Sequence, residues 1–359
     1  MKTIIVIGAG IVGASIAHHL SRAGHTVTVI EQGEAGSQVT ASSFAWLGLA
    51  KSSASAQQGD LRGSALKEWD RLRAELSEHS DAPECFEYRQ FGAISWEESE
   101  DETREFVADH LAAGHSMQLL NSVETLALEP NLKAAPAAVA RATNDAGVDP
   151  VALTRALLDS AKGNGATLLM HTKVTELLCV EGRVSGAQTS AGDIHAESVI
   201  LAAGTASADL AASVGAAVDL VPAPCCLIRF STEAPLLNGI LSTPAVEVRQ
   251  LNDTTLLAAE DVPAGFSGDP TLLVPDVLDA IHETFVDTKS VRLERATVVD
   301  RPMPRNGEPI VGPAAGTPGL YLAVAHPAII LAAAIGARVT ADHAPSNGNG
   351  NGNGNGNGN

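Results

Sequence analysis

The stretch from Ile4 to Glu31 constrains this chain more than any other. It runs from a β-branched segment, Ile4 to Ile7, into Gly8-Ala9-Gly10-Ile11-Val12-Gly13. An amphipathic segment to Ala23, Gly24, and a second apolar run from His25 to Ile30 follow. A short β-branched run of this kind marks a buried parallel strand. In a G-x-G-x-x-G turn each glycine has its own task. Gly8 permits the tight strand-to-helix turn, Gly10 lets a pyrophosphate approach the backbone, and Gly13 lets the helix pack on its strand. The free N–H groups at the start of the helix, around Ile11 and Val12, would face that pyrophosphate. Glu31 ends the second strand, where a carboxylate accepts from both ribose hydroxyls and repels a 2′-phosphate. A glycine triplet alone is weak evidence. Strand, helix, second strand and acid in register make a strong dinucleotide signature. A secretory signal is rejected because glycines break the apolar run and an ordered βαβ design continues past it.

At 359 residues the chain can hold one large or two closely joined domains. A formal net charge of −19 argues against a nucleic-acid partner. No apolar run reaches membrane-spanning length, so a protein without a membrane partner is expected. Cys85, Cys179, Cys225 and Cys226 show no C-x-x-C spacing. That pattern fits a reducing, cytoplasmic setting rather than a disulfide framework or a metal site.

Along the chain, the small-hydroxyl run Val39 to Ser43, followed by Phe44 and Trp46, suits a loop touching a phosphate and then a flat ring. A Ser-capped helix start with buried aromatics fits equally well. Leu66, Trp69, Leu72 and Leu76 share one face of a helix predicted over Leu61 to Ser77. Cys85 to Trp96 reads as strands with a turn at Gly92, and Glu97 to Asn131 as helix. Asp149 or Pro150 opens a helix over Val151 to Lys162. Strands are predicted at Thr167 to His171, Val174 to Val180, Val184 to Thr189 and Ser198 to Leu201. The last of these runs into Ala202-Ala203-Gly204. Further strands are expected at Val221 to Ser231, Ala245 to Gln250, Thr254 to Ala259, Ser290 to Val299 and Gly319 to Val324. Helices are expected at Leu273 to Phe285 and from Ala328 to Val339. The Asn-Gly repeat from residue 346 to 359 is expected to be disordered, having no side chains for a core.

With these segments in place the chain resembles the D-amino-acid-oxidase-like FAD-dependent oxidoreductases, the group of glycine oxidase and sarcosine oxidase. Three motifs carry the resemblance: the glycine turn with Glu31; the hairpin leading into Val199-Ile200-Leu201-Ala202-Ala203-Gly204; and Arg301-Pro302-Met303-Pro304 through Gly312 and Gly319 to His326. The first motif alone fits NAD or FAD, and the other two favour FAD. The resemblance implies an α/β fold: a Rossmann-type FAD-binding domain from residues 1–84, 139–221 and 297–345. A second, mainly antiparallel α+β substrate domain would come from 85–138 and 222–296. It also implies hydride transfer to flavin N5 from a C–H beside the nitrogen of an amine or amino acid, with oxygen or another acceptor taking the electrons. An oligomer is compatible with it.

By the same resemblance, Gly8, Gly10, Ile11, Val12, Gly13, Glu31, Gln32, Ala41, Ser42, Ser43, Val174, Ala203, Gly204, His326, Ala328, Ile329 and Ile330 are the cofactor-binding candidates. Arg301 matches a position that clamps a substrate carboxylate, and a guanidinium has the right fork for it. The alternative for Arg301 is an ion pair with one of the chain's many acids. His326 is the other catalytic candidate, its alternative being a packing role at a strand end. The helix after it would aim its positive end at the flavin ring. The family's Gly-His-Ser-Gly before that helix is Ala325-His326-Pro327-Ala328 here, and Ala333 replaces a proline. Added methyl groups narrow the space, and Pro327 removes a donor. No cysteine lies between Thr297 and Gly312, so the FAD is expected to be non-covalent. An NAD-dependent dehydrogenase and a catalytically degenerate flavin-binding subunit are the alternatives.

Overall fold

The computed structural model describes residues 1–48, 60–78, 86–263 and 265–344. Cys85 and the Asn-Gly tail lie outside the described residues. A six-stranded sheet is centred on the first strand, in the order Ile310–Pro313, Leu320–Val324, Ser198–Leu201, Thr3–Ile7, Thr26–Ile30, Thr167–Leu169. All neighbours are parallel except the first pair. Its inner strands are apolar on both faces because helices and a second layer cover both. Ile4, Ile5, Val6 and Val29 are buried accordingly.

The Ile11–Arg22 helix packs between the Pro150–Gly163 and Ala328–His343 helices. Ala14, Ile16, Ala17 and Leu20 form its inner surface. Each such large aliphatic side chain contributes about 1.5–3 kcal/mol when fully buried. Pro150–Gly163 begins as expected, with the Asp149 carboxylate accepting from Val151 N and Ala152 N and Pro150 in the first turn. The Asp60–Glu78 helix buries Trp69, Leu72 and Leu76 along the predicted stripe.

A second, eight-stranded sheet runs Arg292–Asp300, Pro224–Ser231, Thr255–Asp261, Glu247–Asn252, Ile240–Ser242, Ala93–Ser95, Val139–Ala142, Met117–Leu120. It is antiparallel except where Ile240–Ser242 meets Ala93–Ser95. The Val274–Thr284 helix covers one face through Val277 and Ile281. This sheet includes Val139–Ala142 and runs to Asp300, a few residues past the boundaries read from sequence.

Several local expectations need correction. The long helix expected over Glu97 to Asn131 is two helices, Glu100–Ala112 and Ser122–Leu128, separated by the Met117–Leu120 strand. Gly114, at φ 81°, ends the first. Asn121 and Glu124 form a capping box that starts the second. The run from Val221 to Ser231 is divided. Leu220–Val221 pairs with Met303–Pro304, whereas Pro224–Ser231 enters the large sheet. Gly192–His195 and Ile240–Ser242 are strands without a sequence-derived counterpart, and the last helix continues to His343.

Candidate active site

The glycine turn builds one wall of a cavity of about 1210 Å³. Gly8 sits at φ 103°, and a Cβ there would lie 2.5 Å from the Ala202 carbonyl oxygen. Only glycine adopts that backbone and admits that approach. A Cβ on Gly13 would overlap the Gly8 carbonyl oxygen, so this glycine sets the fit of helix on turn. Gly10 precedes the first helix with no side-chain cap from its own position. Thr40 supplies one from a loop, its Oγ1 accepting from Ile11 N at 3.2 Å.

Glu31 is held by its own neighbourhood. Its Oε2 accepts from Ala9 N and its Oε1 from Gly33 N, both at 2.9 Å. Each carboxylate oxygen keeps a further lone pair, and the residue lines the cavity. The acid thus staples the glycine turn to the second strand as well as lining the cavity.

The last helix closes the cavity from the other end of the sequence. Pro327 is its N-cap and offers no side-chain cap, so the first turn presents its N–H groups toward the cavity at Ala328, Ile329 and Ile330. That turn is anchored from behind. Trp69 Nε1 donates to the Ile330 carbonyl at 2.8 Å, and Ser15 Oγ donates to the Ala332 carbonyl at 2.7 Å.

One cavity collects nearly all the residues proposed from sequence. Gly8, Gly10, Ile11 and Val12 line it, as do Glu31, Gln32, Ser42, Ser43 and Val174. Ala203, Gly204, Arg301, His326, Ala328, Ile329 and Ile330 complete that set. Gly13 and Ala41 do not line it. Gly13 faces the turn, and Ala41 is an exposed turn residue whose N–H is donated to the Gln38 carbonyl.

Other lining residues carry only an open assignment in the sequence, or none. Thr40 belongs to the hydroxyl run that pointed to Ser42 and Ser43. Phe44 and Trp46 line the cavity as an edge-to-face pair, and Trp46 Nε1 donates to Asp145 Oδ2 at 2.8 Å. Cys225, Glu247 and Asp261 arrive from three strands of the large sheet. No local pattern marks them. Cys225 faces Asp261 across a strand pair, and burial raises its thiol pKa. Asp261 Oδ1 accepts from Arg301 Nη2 at 2.7 Å, while Arg301 Nε donates to the Ala223 carbonyl at 3.0 Å.

The cavity therefore spans the βαβ turn, the first turn of the last helix and the face of the large sheet. It exceeds the roughly 300–1,000 Å³ of a single small-ligand pocket. The glycine cradle, the ribose acid and the uncapped helix start fit FAD with room left for a substrate.

Residues 3–342 match the family model described as DAO, FAD dependent oxidoreductase. The chain is 25% identical over 311 residues to a glycine oxidase of Bacillus licheniformis, covering 86% of this chain and 83% of that protein. It is 25% identical over 398 residues to a D-amino acid dehydrogenase of Cereibacter sphaeroides, covering 94% and 91%. Among solved structures, the glycine oxidase of Geobacillus kaustophilus superposes with a TM-score of 0.85 at 24% identity, covering 96% of each chain.

Proposed function

The chain belongs to the DAO family of FAD-dependent oxidoreductases, and on that footing we propose that it oxidises the C–N bond of a small amine or amino acid. The observation that carries this reading is the single cavity shared by the nucleotide cradle, the start of the last helix and the large sheet. When bound, FAD accepts a hydride at ring N5 from a C–H beside nitrogen and passes the electrons to oxygen or another acceptor.

The chain's own residues divide the remaining work. The Gly8 to Val12 turn receives the diphosphate against backbone N–H groups, and Glu31 takes ribose hydroxyls. Gln32 and Val174 stand by the adenosine, Ser42 and Ser43 by the phosphate and ring, and Ala203 and Gly204 at the strand end. The positive end of the last helix, at Ala328 to Ile330, stabilises negative charge that develops on the ring. His326 stands at the strand end beside it. Phe44 and Trp46 exclude water from the reacting bond. An amine entering in its neutral form needs no protein base for hydride loss. Arg301 would act as a carboxylate clamp only by sharing its fork with Asp261, which already occupies one arm. The free thiols of Cys179, Cys225 and Cys226 suit a reducing compartment such as the cytoplasm.

The test is a purified sample with a flavin spectrum, titrated anaerobically with a panel of amines and amino acids. Bleaching by a member of the panel is the expected result. A flavin that stays oxidised throughout would overturn the reading in favour of a flavin-holding subunit.

A further inference from the structure

Phe44 and Trp46 line the active-site cavity from a segment whose backbone is tightly constrained. The Trp46–Leu47 strand pairs with Ala146–Gly147, which also pairs with Arg89–Gln90. Both rings pack against the apolar cluster that holds Ala93, Ala142 and Ile240 of the eight-stranded sheet. Between them Ala45 is buried in left-handed backbone, at φ 54°. A residue with a side chain rarely adopts that conformation unless its surroundings hold it. Here Ser43 Oγ accepts from Ala45 N at 3.1 Å, and the Ala45 carbonyl accepts from Val148 N at 3.4 Å.

Asp145 fixes the indole. Trp46 Nε1 donates to its Oδ2 at 2.8 Å, and the Asp145 carbonyl accepts from Gly92 N at 2.9 Å. Asp145 is buried but does not line the cavity, so it acts there through Trp46. Gly48 completes the fit, since a Cβ there would overlap both the Asp145 carboxylate and Trp46 Nε1. An indole has one hydrogen-bonding atom, and in Trp46 it is turned to Asp145. What the ring gives the cavity is carbon surface. The Phe44 ring adds more, edge to face with Trp46 at 6.3 Å. Leu227 and Ala259, paired across two strands of the large sheet, line the same cavity with apolar side chains.

We propose that Trp46 is the specificity-determining residue of this site, seating an apolar group carried by the amine. Asp145 is the positioning residue that holds the indole in place. This rests on the amine-oxidising reading above and names its substrate class: amines bearing an alkyl chain or an aromatic ring. A hydroxyl or a second charge in that place would lose its water against ring carbon and gain no partner.

The experiment titrates the FAD-loaded protein with cumylamine, tert-amylamine and aminomethylpropanol, the last two differing by a methyl group against a hydroxyl. None has a C–H beside nitrogen, so perturbation of the flavin absorbance reads binding without turnover. The native protein is expected to bind cumylamine at least about tenfold more tightly than aminomethylpropanol, with tert-amylamine between them. Trp46→Ala should cut that ratio to below about threefold while flavin content and aminomethylpropanol affinity stay native. Trp46→Phe keeps a ring but not the bond to Asp145, and should lose at least about half of the ratio. Asp145→Asn keeps an acceptor for the indole and should stay within about twofold of the native ratio.

A native protein that binds aminomethylpropanol as tightly as cumylamine overturns the proposal without any variant. So does a Trp46→Ala protein with the native ratio, or one in which all three ligands weaken equally. The positioning role of Asp145 falls if Trp46→Phe keeps the native ratio or if Asp145→Asn loses it. If the preference runs through Trp46 but no amine bleaches the flavin, the apolar seat stands and the proposed reaction falls. If amines bleach the flavin with no such preference, the reaction stands and the seat falls.

Discussion

The two walls of the cavity are built differently. The wall from Gly8 to Glu31 is mostly backbone. Gly8 and Gly13 are dictated by close approach, and its one acid is fastened by two main-chain donors. The opposite wall is mostly side chains. Cys225, Glu247, Asp261 and Arg301 come from separate strands or their ends. A backbone wall tolerates little change where it turns, because a side chain at Gly8 or Gly13 meets main-chain atoms that cannot move aside. A side-chain wall can alter its chemistry on an unchanged sheet. Under the proposed function, the first wall is the coenzyme side and the second is the substrate side.

The largest effect should come from the backbone wall. Gly13→Val forces a side chain onto the Gly8 carbonyl, and the purified protein should carry no flavin by absorbance. Retained flavin would break the contrast between the walls.

The next effect separates the two halves by pH. Behind the side-chain wall, Glu129 is buried, and burial raises its pKa from 4.5 to about 7 despite a hydrogen bond from Asn238 N. The native state there holds a proton that the unfolded chain has lost. Its contribution is complete below 4.5 and disappears as the pH rises through about 7. Glu129→Gln should thus raise stability on the alkaline side by on the order of 3 kcal/mol and change little in acid. On the backbone side, burial lowers His18 from 6.5 to about 4, with Ser160 and Glu75 as its partners. Its contribution is present above 6.5 and is lost as the pH falls toward about 4. Hydrogen exchange should show the His18 helix loosening first in acid and the Glu129 region first in base. The same order at both extremes would count against this division.

A smaller effect is expected where the walls meet. Trp69→Phe removes the bond to Ile330 and should cost about 1 kcal/mol in denaturant unfolding, with weaker flavin retention. Smallest of all, Asp261→Asn at the exposed end of the Arg301 pair should shift stability by less than about 1 kcal/mol and leave flavin content unchanged.

The same division explains what could be read before the fold was known. The turn, Glu31, the Asp149 cap and the apolar last helix follow from short-range rules, and each stands in the structure where those rules put it. The misreadings were also local. Gly114 and the Asn121 capping box divide the stretch into helix, strand and helix, against the single helix that its charge pattern predicts. Ala41 lies in the same run as Ser42 and Ser43, but the turn directs it outward. Phe44 and Trp46 remained ambiguous because an aromatic ring reads alike in a core and on a ligand.

By itself the sequence determined the nucleotide cradle, because φ angles, close approach and helix starts are properties of neighbouring residues. Only the tertiary structure decided that Arg301 is paired with Asp261 while Arg249 is buried with its Nε unpartnered among the described residues. The partners of a charge are chosen by strand register and by the meeting of two sheets, and neither is written in the spacing of residues along a single segment.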